Sequence, residues 1–303
     1  MIGYITRLLL LPHLKVHNAN ALSSPFTIGF PALTAWLGAT DALQRKLAAS
    51  GFNDVKFKGT AIISHRCDLH TYKGRGDLVY SIIGTGNPLD KTGERSAFIE
   101  EARCHLDCSL LVEYEGIDKD SEPVFLEKVS HLLNGQMKIA GGEILSFKPP
   151  ITVKVEEGNA TDMRKLTRRI MPGYAVIERR ELLKQAMENG EDVMDAMLEY
   201  LAVHHSCEQD EDGNVNWLSK RKTAGWIIPI ATGFHGINEL GMAKNQRDPD
   251  IPHRFAESVV TLGEFIMPHR IQSLSDIMWH HCVDIEHNLY LCQHSHSLTN
   301  TNG

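Results

Sequence analysis

Residues 7–17 read RLLLLPHLKVH, and this stretch decides the fold. Its apolar run, residues 8–11, is shorter than the roughly 7 to 15 residues of a secretory signal core or the roughly 20 of a membrane span. A short apolar run followed by the polar stretch 18–24 is typical of a buried strand and the loop after it. The sequence therefore predicts a sheet built around residues 7–17, and no membrane association.

Outward from this strand, strand and helix patterns alternate. Apolar residues at three- and four-residue spacings predict a helix over 32–49, and period-two alternation predicts a strand over 54–70. Residues 71–103 are glycine-rich and polar and predict an insert that leaves the main body. Strand, helix and strand patterns then follow at 106–114, 125–133 and 138–147. The order β-α-β, insert, β-α-β predicts an α+β fold with a ferredoxin-like, or RRM-like, core.

The chain changes character after the double proline at 149–150. We therefore expect residues 1–150 to form the core with its insert at about 71–103, and residues 151–303 to form a C-terminal region that continues the core with helical additions. Helical spacing runs over 182–201 and is interrupted at Gly190. The same reasoning predicts helices near 253–267 and 271–281, and a frayed polar tail from 293.

Composition restricts the classes of function. The 303 residues are 42% hydrophobic and 23% charged, as in an ordinary globular protein. A formal net charge of −7 argues against indiscriminate nucleic-acid binding but leaves local basic patches open. Six cysteines lie in no repeating framework, and the chain starts with no secretory signal. Reduced thiols in the cytoplasm are the simpler interpretation.

Histidine is abundant, at 16 residues, so metal binding has to be considered. Three local groups combine histidine with cysteine, at residues 204–207, 280–282 and 292–296. None has the C-x2-C or H-x3-5-H spacing of structural zinc sites. Phosphate-binding and dinucleotide-binding glycine loops and the G-x-S-x-G motif are absent too. The sequence therefore predicts no metal and no cofactor.

An acid-base ribonuclease needs geometry rather than a contiguous motif, so it stays open. Its candidate residues are scattered: His17, His65, His70, Tyr72 and Lys73. The competing interpretation, which we favour, puts His65 in a strand with its side chain facing the core, and the others in solvated loops.

The clearest charge feature is RKLTRR at 164–169, followed by Arg179 and Arg180. Clustered arginines can bind phosphates through two parallel hydrogen bonds and can stack on bases. Weaker candidates follow at 220–222, 247, 254 and 270. A solvated face explains most charge runs, so composition alone leaves both interpretations open.

Several ordered motifs carry a resemblance to a known family. They are LLLPHLKVHNANALSSP at 9–25, GFP at 29–31, TA at 34–35, NPL at 87–89, EEARxHL at 100–106, AGG at 140–142, LTRRxxPG at 166–173, GW at 225–226, LGE at 262–264, PHR at 268–270 and LSD at 274–276. Over about residues 8–281 the chain resembles the Cas-five-type family of RAMP proteins, which form the second Csy subunit of type I-F CRISPR surveillance complexes.

The resemblance implies an RRM-like core, a thumb formed by the insert, and an appended C-terminal region. It also implies a non-catalytic role: the subunit pairs with the large Csy subunit and holds the 5′ handle of the guide RNA. An adjacent backbone subunit starts the filament along the spacer, and the complex recognises target DNA. Two alternatives remain, a metal-independent endoribonuclease that processes CRISPR precursor RNA, and a purely protein-protein adaptor.

The family and the residue chemistry together predict the RNA-binding positions. Glycine removes the side-chain barrier to close approach of the backbone, and arginine supplies charge. The expected RNA-binding residues are Asn18, Asn20, Ser23, Ser24, Phe30, Arg66, Arg103, Gly141, Gly142, Lys165, Arg168, Arg169, Arg254, His269 and Arg270.

Overall fold

A computed structural model describes residues 4–84, 89–95, 101–209, 214–246 and 248–294. Within these residues the α-helices are α1 (Leu33–Ala48), α2 (Glu122–Gly135), α3 (Ala160–Ile170), α4 (Arg180–Glu188) and α5 (Val193–Leu201). The strands are β1 (Ile5–Asn20), β2 (Leu22–Ser24), β3 (Thr27–Ile28), β4 (Lys56–Leu69), β5 (Thr71–Tyr72), β6 (Ser81–Ile82), β7 (Arg103–Glu115), β8 (Lys138–Ile139), β9 (Gly142–Ser146), β10 (Ile151–Glu156), β11 (Tyr174–Glu178), β12 (His204–Gln209), β13 (Val215–Lys220), β14 (Trp226–Gly236), β15 (Ala256–Ile266), β16 (Trp279–Asp284) and β17 (Leu289–His294).

One large antiparallel sheet organises the described chain. Its strand order is β11-β15-β14-β17-β16-β4-β7-β1-β9-β8, with β10 paired to the start of β1. The apolar stretch at 7–17 lies at the centre of β1, where Leu9 is opposite Val112 and Leu11 is opposite Leu110 of β7. The protein is therefore a mixed α+β molecule, as the sequence predicts at that level.

The first half of the chain places four of these strands side by side. They lie in the order β9-β1-β7-β4, and each neighbouring pair is antiparallel. Helix α1 connects β1 to β4, and α2 connects β7 to β8 and β9. The predicted helix at 32–49 and strand at 54–70 are confirmed as α1 and β4.

Both faces of this sheet are covered, by different elements. Leu9, Leu11 and Leu110 pack with Trp36 of α1 and Phe125 of α2 in the larger core. The alternate residues Leu8, Leu10 and Leu111 point to the opposite face and pack with Leu166 and Ile170 of α3. Successive side chains of a strand point to opposite faces, so the continuous run 8–11 supplies both cores.

The sheet is continuous across residue 150. Strand β4 pairs with β7 along one edge and with two C-terminal strands along the other, through Thr60 to Trp279 of β16 and through Ile63 to Ala175 of β11. Because β11 also begins the path β11-β15-β14-β17-β16, these five strands and β4 form a closed circuit of pairings. The C-terminal region therefore completes the same sheet.

Two helix predictions in the C-terminal region are wrong. Residues 256–266 form strand β15 rather than a helix, and 271–281 contain a short 3-10 turn at 274–276 and the start of β16. β15 lies between β11 and β14, and its residues 261–264 are buried consecutively, so its sequence lacks the alternation of a half-buried strand. The predicted helical stretch at 182–201 is confirmed as α4 and α5, with Gly190 between them.

The predicted frayed tail, from residue 293, lies only partly within the described residues. Residues 293 and 294 are ordered in β17 and buried, which corrects that prediction for its first two positions. Residues 295–303 lie outside the described part, as do positions 85–88 and 96–100 of the predicted insert. The described part holds no helix with the length and apolar character needed to cross a membrane.

Candidate nucleic-acid interface

A network of histidines lies on the sheet face opposite α1 and α2. On β7, Leu106, Cys108 and Leu110 point into the larger core, so the alternate residues His105, Asp107 and Ser109 point the other way. Each of these three contacts histidines from neighbouring parts of the sheet, namely His13 and His17 of β1, His65 of β4 and His70 just after β4.

His105 is the centre of one half of this network. Its ring stacks on His17 with centroids 4.4 Å apart, and its Nε2 lies 3.0 Å from Nε2 of His70. The backbone N–H of Asn18 donates to Nδ1 of His105 at 3.2 Å, so that nitrogen holds a lone pair. Partial desolvation, followed by the nearby His70 and His17, lowers the pKa of His105. The group is therefore a set of packed rings in which His105 stacks on His17 and meets His70 edge-on.

His65 is the centre of the other half. Its Nδ1 faces the carbonyl oxygen of Pro172, which can only accept, so Nδ1 carries the proton. The Ser109 hydroxyl then donates to Nε2 of His65 at 2.7 Å and accepts from the backbone N–H of His13 at 3.0 Å. Burial is the main cause that lowers the pKa of His65, although the Pro172 carbonyl opposes it.

Within the described residues, one group of side chains could supply ligands to the same metal ion: His13, His65 and Asp107. One ligand atom from each lies within 4.8 Å of the others. His13 Nδ1 already lies 3.0 Å from an Asp107 oxygen, and both ring nitrogens of His65 have partners. A cation would have to displace these hydrogen bonds. The group as arranged is a hydrogen-bond network that fixes the rings.

Helix α3 carries the basic run identified in the sequence. Asn159 caps its N-terminus by accepting from the backbone N–H groups of Thr161 and Asp162, and arginines in its last turn suit the negative end of the helix dipole. The chain leaves α3 directly into Pro172, the partner of His65. The basic end of the helix therefore adjoins the histidine network.

An open cavity of about 540 Å³ lies beside α3. Arg164 and Arg168 line it from the helix, and His269 lines it from the turn after β15. Arg168 and Arg169 are exposed, and within the described residues neither guanidinium forms a hydrogen bond or an ion pair. Both charges are thus available to an external anion.

A second, smaller cavity holds two further predicted residues, Phe30 and Arg66. Its volume is about 270 Å³, and its other walls include Tyr174, Trp226 and Phe265. The structure therefore brings the predicted residues together in two places, Arg168 with His269 and Phe30 with Arg66.

The remaining predicted basic residues are occupied within the chain or lie apart. Lys165 pairs with Asp162 at 3.2 Å and Arg103 pairs with Glu101 at 2.5 Å. Arg254 hydrogen-bonds to Asn288 near the hairpins of the C-terminal region. Arg270 is exposed in the turn next to His269.

The predicted polar residues at the end of β1 and in β2 mostly stabilise their own segment of the chain. The Asn20 side chain bonds both backbone groups of Leu22, and the hydroxyls of Ser23 and Ser24 bond to Thr27. The backbone N–H of Asn18 is bound to His105.

The two predicted glycines have different surroundings. Gly142 packs against β1, where an added Cβ would lie 2.7 Å from the carbonyl oxygen of His17. Gly141 is exposed, with a φ of 74°. Close packing within the sheet thus already requires the glycine at 142, and Gly141 keeps its backbone accessible.

Arg179 and Arg180 do not extend the basic surface. Arg179 pairs with Glu264 and Glu181, and Arg180 pairs with Glu178 at 2.6 Å. The side chains of Glu264 and Glu178 are only 8% and 4% exposed, so each needs its cation. These arginines stabilise the fold, and their pairing argues against a role as phosphate ligands.

The ribonuclease candidates are divided. His17, His65 and His70 belong to the histidine network, whereas Tyr72 and Lys73 lie on the insert, where the Lys73 ammonium is 5.2 Å from the Tyr80 ring centroid.

Sequence reasoning missed His13, His105, Asp107 and Ser109. The polar alternation at 105, 107 and 109, opposite the apolar 106, 108 and 110, is the pattern that predicts such a face.

This α+β protein has a surface with three features that suit a nucleic acid. They are the basic end of α3, the aromatic cavity and the sheet face that carries the histidines. Residues 9–292 match the family described as CRISPR-associated protein (Cas_Csy2). The chain is also 33% identical over 311 residues to the CRISPR-associated protein Csy2 of Pseudomonas aeruginosa (strain UCBPP-PA14), and the match covers 93% of this chain and 94% of that protein. The chain therefore belongs to the Csy2 family, the second Csy subunit of type I-F CRISPR complexes.

Proposed function

We propose that this subunit is a non-catalytic holder of the guide-RNA 5′ handle, acting with the large Csy subunit in the cytoplasm. The observation that carries the proposal is the pair Arg168 and Arg169 at the end of α3. Both are exposed and without an ion-pair partner in the described chain, and Arg168 lines the cavity with His269. In a chain with a net charge of −7, a local cationic site of this kind suits a limited stretch of RNA backbone.

The strand order β9-β1-β7-β4, with α1 and α2 on one face, supports a ferredoxin-like, RRM-like core. We further propose that the insert at about 71–103 acts as the thumb against an adjacent backbone subunit, and that target DNA is reached only through the assembled complex. Membership of the Csy2 family supports these partners.

The hydrogen bonds of the histidine network favour a role in binding RNA over a role in cleaving it. The most nucleophile-like pair, Ser109 and His65, is inaccessible because Ser109 is only 1% exposed. Purified protein should leave CRISPR repeat RNA intact in the absence of metal. Cleavage that is lost in His17→Ala or His70→Ala would instead establish the endoribonuclease.

The handle-binding proposal is tested with the heterodimer of this chain and the large subunit. Replacing Arg168 and Arg169 by alanine removes two charge-assisted contacts, each worth about 1.5–3 kcal/mol. Affinity for handle RNA should fall at least tenfold. The slope of log affinity against log salt should flatten by roughly 0.7 per lost phosphate contact.

A matched control removes two positive charges elsewhere, with Arg45→Ala and Lys119→Ala, outside the cavity beside α3. It should change neither affinity nor salt slope. If the Arg168/Arg169 variant melts like the unaltered chain and binds the handle equally well at every salt concentration, these arginines are not part of the RNA site.

A further inference from the structure

The 270 Å³ cavity has the construction of a site for one flat ring. It lies between β4, the start of β11, and β14 and β15, with residues 29 and 30 closing one side. Cavities for drug-sized ligands start at about 300 Å³, so this one suits a smaller group. Four of its wall residues are aromatic: Phe30, Tyr174, Trp226 and Phe265.

These rings hold one another in fixed positions. Phe265 contacts Phe30 edge-on at 5.3 Å and Trp226 at 5.1 Å, and Tyr174 contacts Trp226 edge-on at 5.6 Å. Phe30 is buried, but Trp226 is 53% exposed. An indole that two neighbouring rings contact at steep angles, and that is half exposed to solvent, can stack on an incoming ring without rearrangement.

The backbone at Trp226 is fixed as well. The preceding residue, Gly225, has a φ of 113°, and a Cβ there would collide with the carboxylate of Glu264. That carboxylate is held in turn by Arg179. The start of β14 is therefore locked against β15, and the indole is placed before any ligand arrives.

The rim of the cavity carries one arginine. The Arg66 side chain is 73% exposed and pairs with Asp68 through Nε alone, so within the described residues the two terminal nitrogens of its guanidinium stay open to an external phosphate. His65 also lines the cavity and is the centre of one half of the histidine network. The cavity therefore adjoins the histidine network through His65.

We infer that this cavity takes one unstacked base of the single-stranded handle, stacked on Trp226, with Arg66 at the adjacent phosphate. The inference rests on the proposed function and adds a base site to it. A cationic rim with aromatic walls suits a nucleotide better than an aliphatic protein side chain, because an aliphatic side chain has no charge for Arg66 to meet.

The test is an abasic scan of the handle, bound to the heterodimer with the large subunit. Each handle nucleotide is replaced in turn by an abasic one, and affinity is measured for the unaltered chain, Trp226→Ala and Trp226→Phe. One position should lose at least fivefold in affinity with the unaltered chain, as expected for loss of a stacked base. At the same position, the abasic substitution should not lower the affinity of the Trp226→Ala variant, because the stacking partner is already gone. It should again lower the affinity of the Trp226→Phe variant, which keeps an aromatic ring.

Trp217→Ala is the matched control. Trp217 is 72% exposed on the β12–β13 ribbon and should leave the abasic profile unchanged. A melting curve for each variant separates binding from folding, and Trp226→Phe retains an aromatic ring if the alanine variant unfolds.

Three outcomes overturn the inference. An abasic profile that is identical with and without Trp226 places the base elsewhere, while the proposed handle binding survives. Loss of the heterodimer in Trp226→Ala, without any position dependence, assigns the cavity to a side chain of the protein partner. Failure of the unaltered heterodimer to bind the handle removes the proposed function and the inference together.

Discussion

Burial of His65 makes the stability of this protein sensitive to acid. In the unfolded chain the imidazole titrates near its ordinary pKa of about 6.5, whereas in the fold burial lowers the pKa. The unfolded state therefore binds the proton more tightly. The contribution of His65 is complete above about pH 6.5 and is lost progressively as the pH falls from there toward the folded-state pKa.

We expect His65→Gln to lower the free energy of unfolding at pH 8 by about 1–2 kcal/mol, because it disturbs the bonds to Pro172 and Ser109. It should also flatten the decline of stability below pH 6.5. Urea denaturation at several pH values measures both effects. His131→Gln, at an exposed position of α2, should leave the pH dependence unchanged. An equally steep decline in the His65 variant contradicts the assignment.

Gly142 is required by the packing of the sheet. An added Cβ would lie 2.7 Å from the His17 carbonyl oxygen and 2.9 Å from Ala19 Cα, which are backbone atoms that cannot move aside. Gly142→Ala should cost about 1–3 kcal/mol, with a lower Tm. Gly38→Ala is the control, because Gly38 lies in α1 with open space around it, and alanine there should raise the Tm. Equal Tm values for the two variants would contradict this account.

At the scale of elements, sequence pattern predicts those with visible alternation. Helix α1 has one buried side, so its periodicity is visible in the sequence, and β4, although buried on both sides along residues 59–64, still shows period-two alternation along residues 63–70. Strand β15 is buried on both sides along residues 261–264, and its pattern was misinterpreted as helical. The site residues divide in the same way: the run at 164–169 is visible along the chain, whereas the aromatic cavity combines residues far apart in sequence.

The β12–β13 ribbon should be dispensable for folding. In the described residues these two strands pair only with each other, and every side chain is exposed except the half-buried Leu218. Because His204 is opposite Lys220, a two-residue link can replace 205–219. The Tm of that variant should stay within about 2 °C, since little apolar surface leaves the core.

The β16–β17 hairpin provides the matched comparison. It connects β14 to β4 and carries the buried Leu291 and Cys292. An equivalent deletion of 281–292 should abolish cooperative unfolding. If both deletions had the same effect, the ribbon would also have to contribute to the core.

At the scale of the whole molecule, the closed circuit of strands makes the two halves of the chain interdependent. The four-strand arrangement follows from pattern, but the return of β11 and β16 to β4 does not. Pairings between segments 110 to 219 residues apart have no local trace in a sequence. They depend on which apolar surfaces remain uncovered once the first elements pack.

Residues 1–150 should therefore fail to fold alone. Without residues 151–303, the second face of the sheet loses α3 and β11, and Leu8, Leu10, Ala61, Ile63 and Leu111 become exposed to water. At about 25 cal/mol per Å² of apolar surface, exposing five such side chains costs several kcal/mol, comparable to the stability of a typical domain. The free edge of β4 adds unpaired backbone groups.

Thermal unfolding followed by near-ultraviolet circular dichroism tests this expectation on the fragment, with the full chain as reference. The fragment should show no cooperative transition and should associate, and adding residues 151–303 separately should restore the transition to a measurable degree. A monomeric fragment that melts cooperatively would show that the β9-β1-β7-β4 unit is a self-sufficient domain, with the C-terminal region only attached to its surface. The shared edge of β4 argues against that outcome, because its partners at Thr60, Ile63 and Ser64 all come from beyond residue 170.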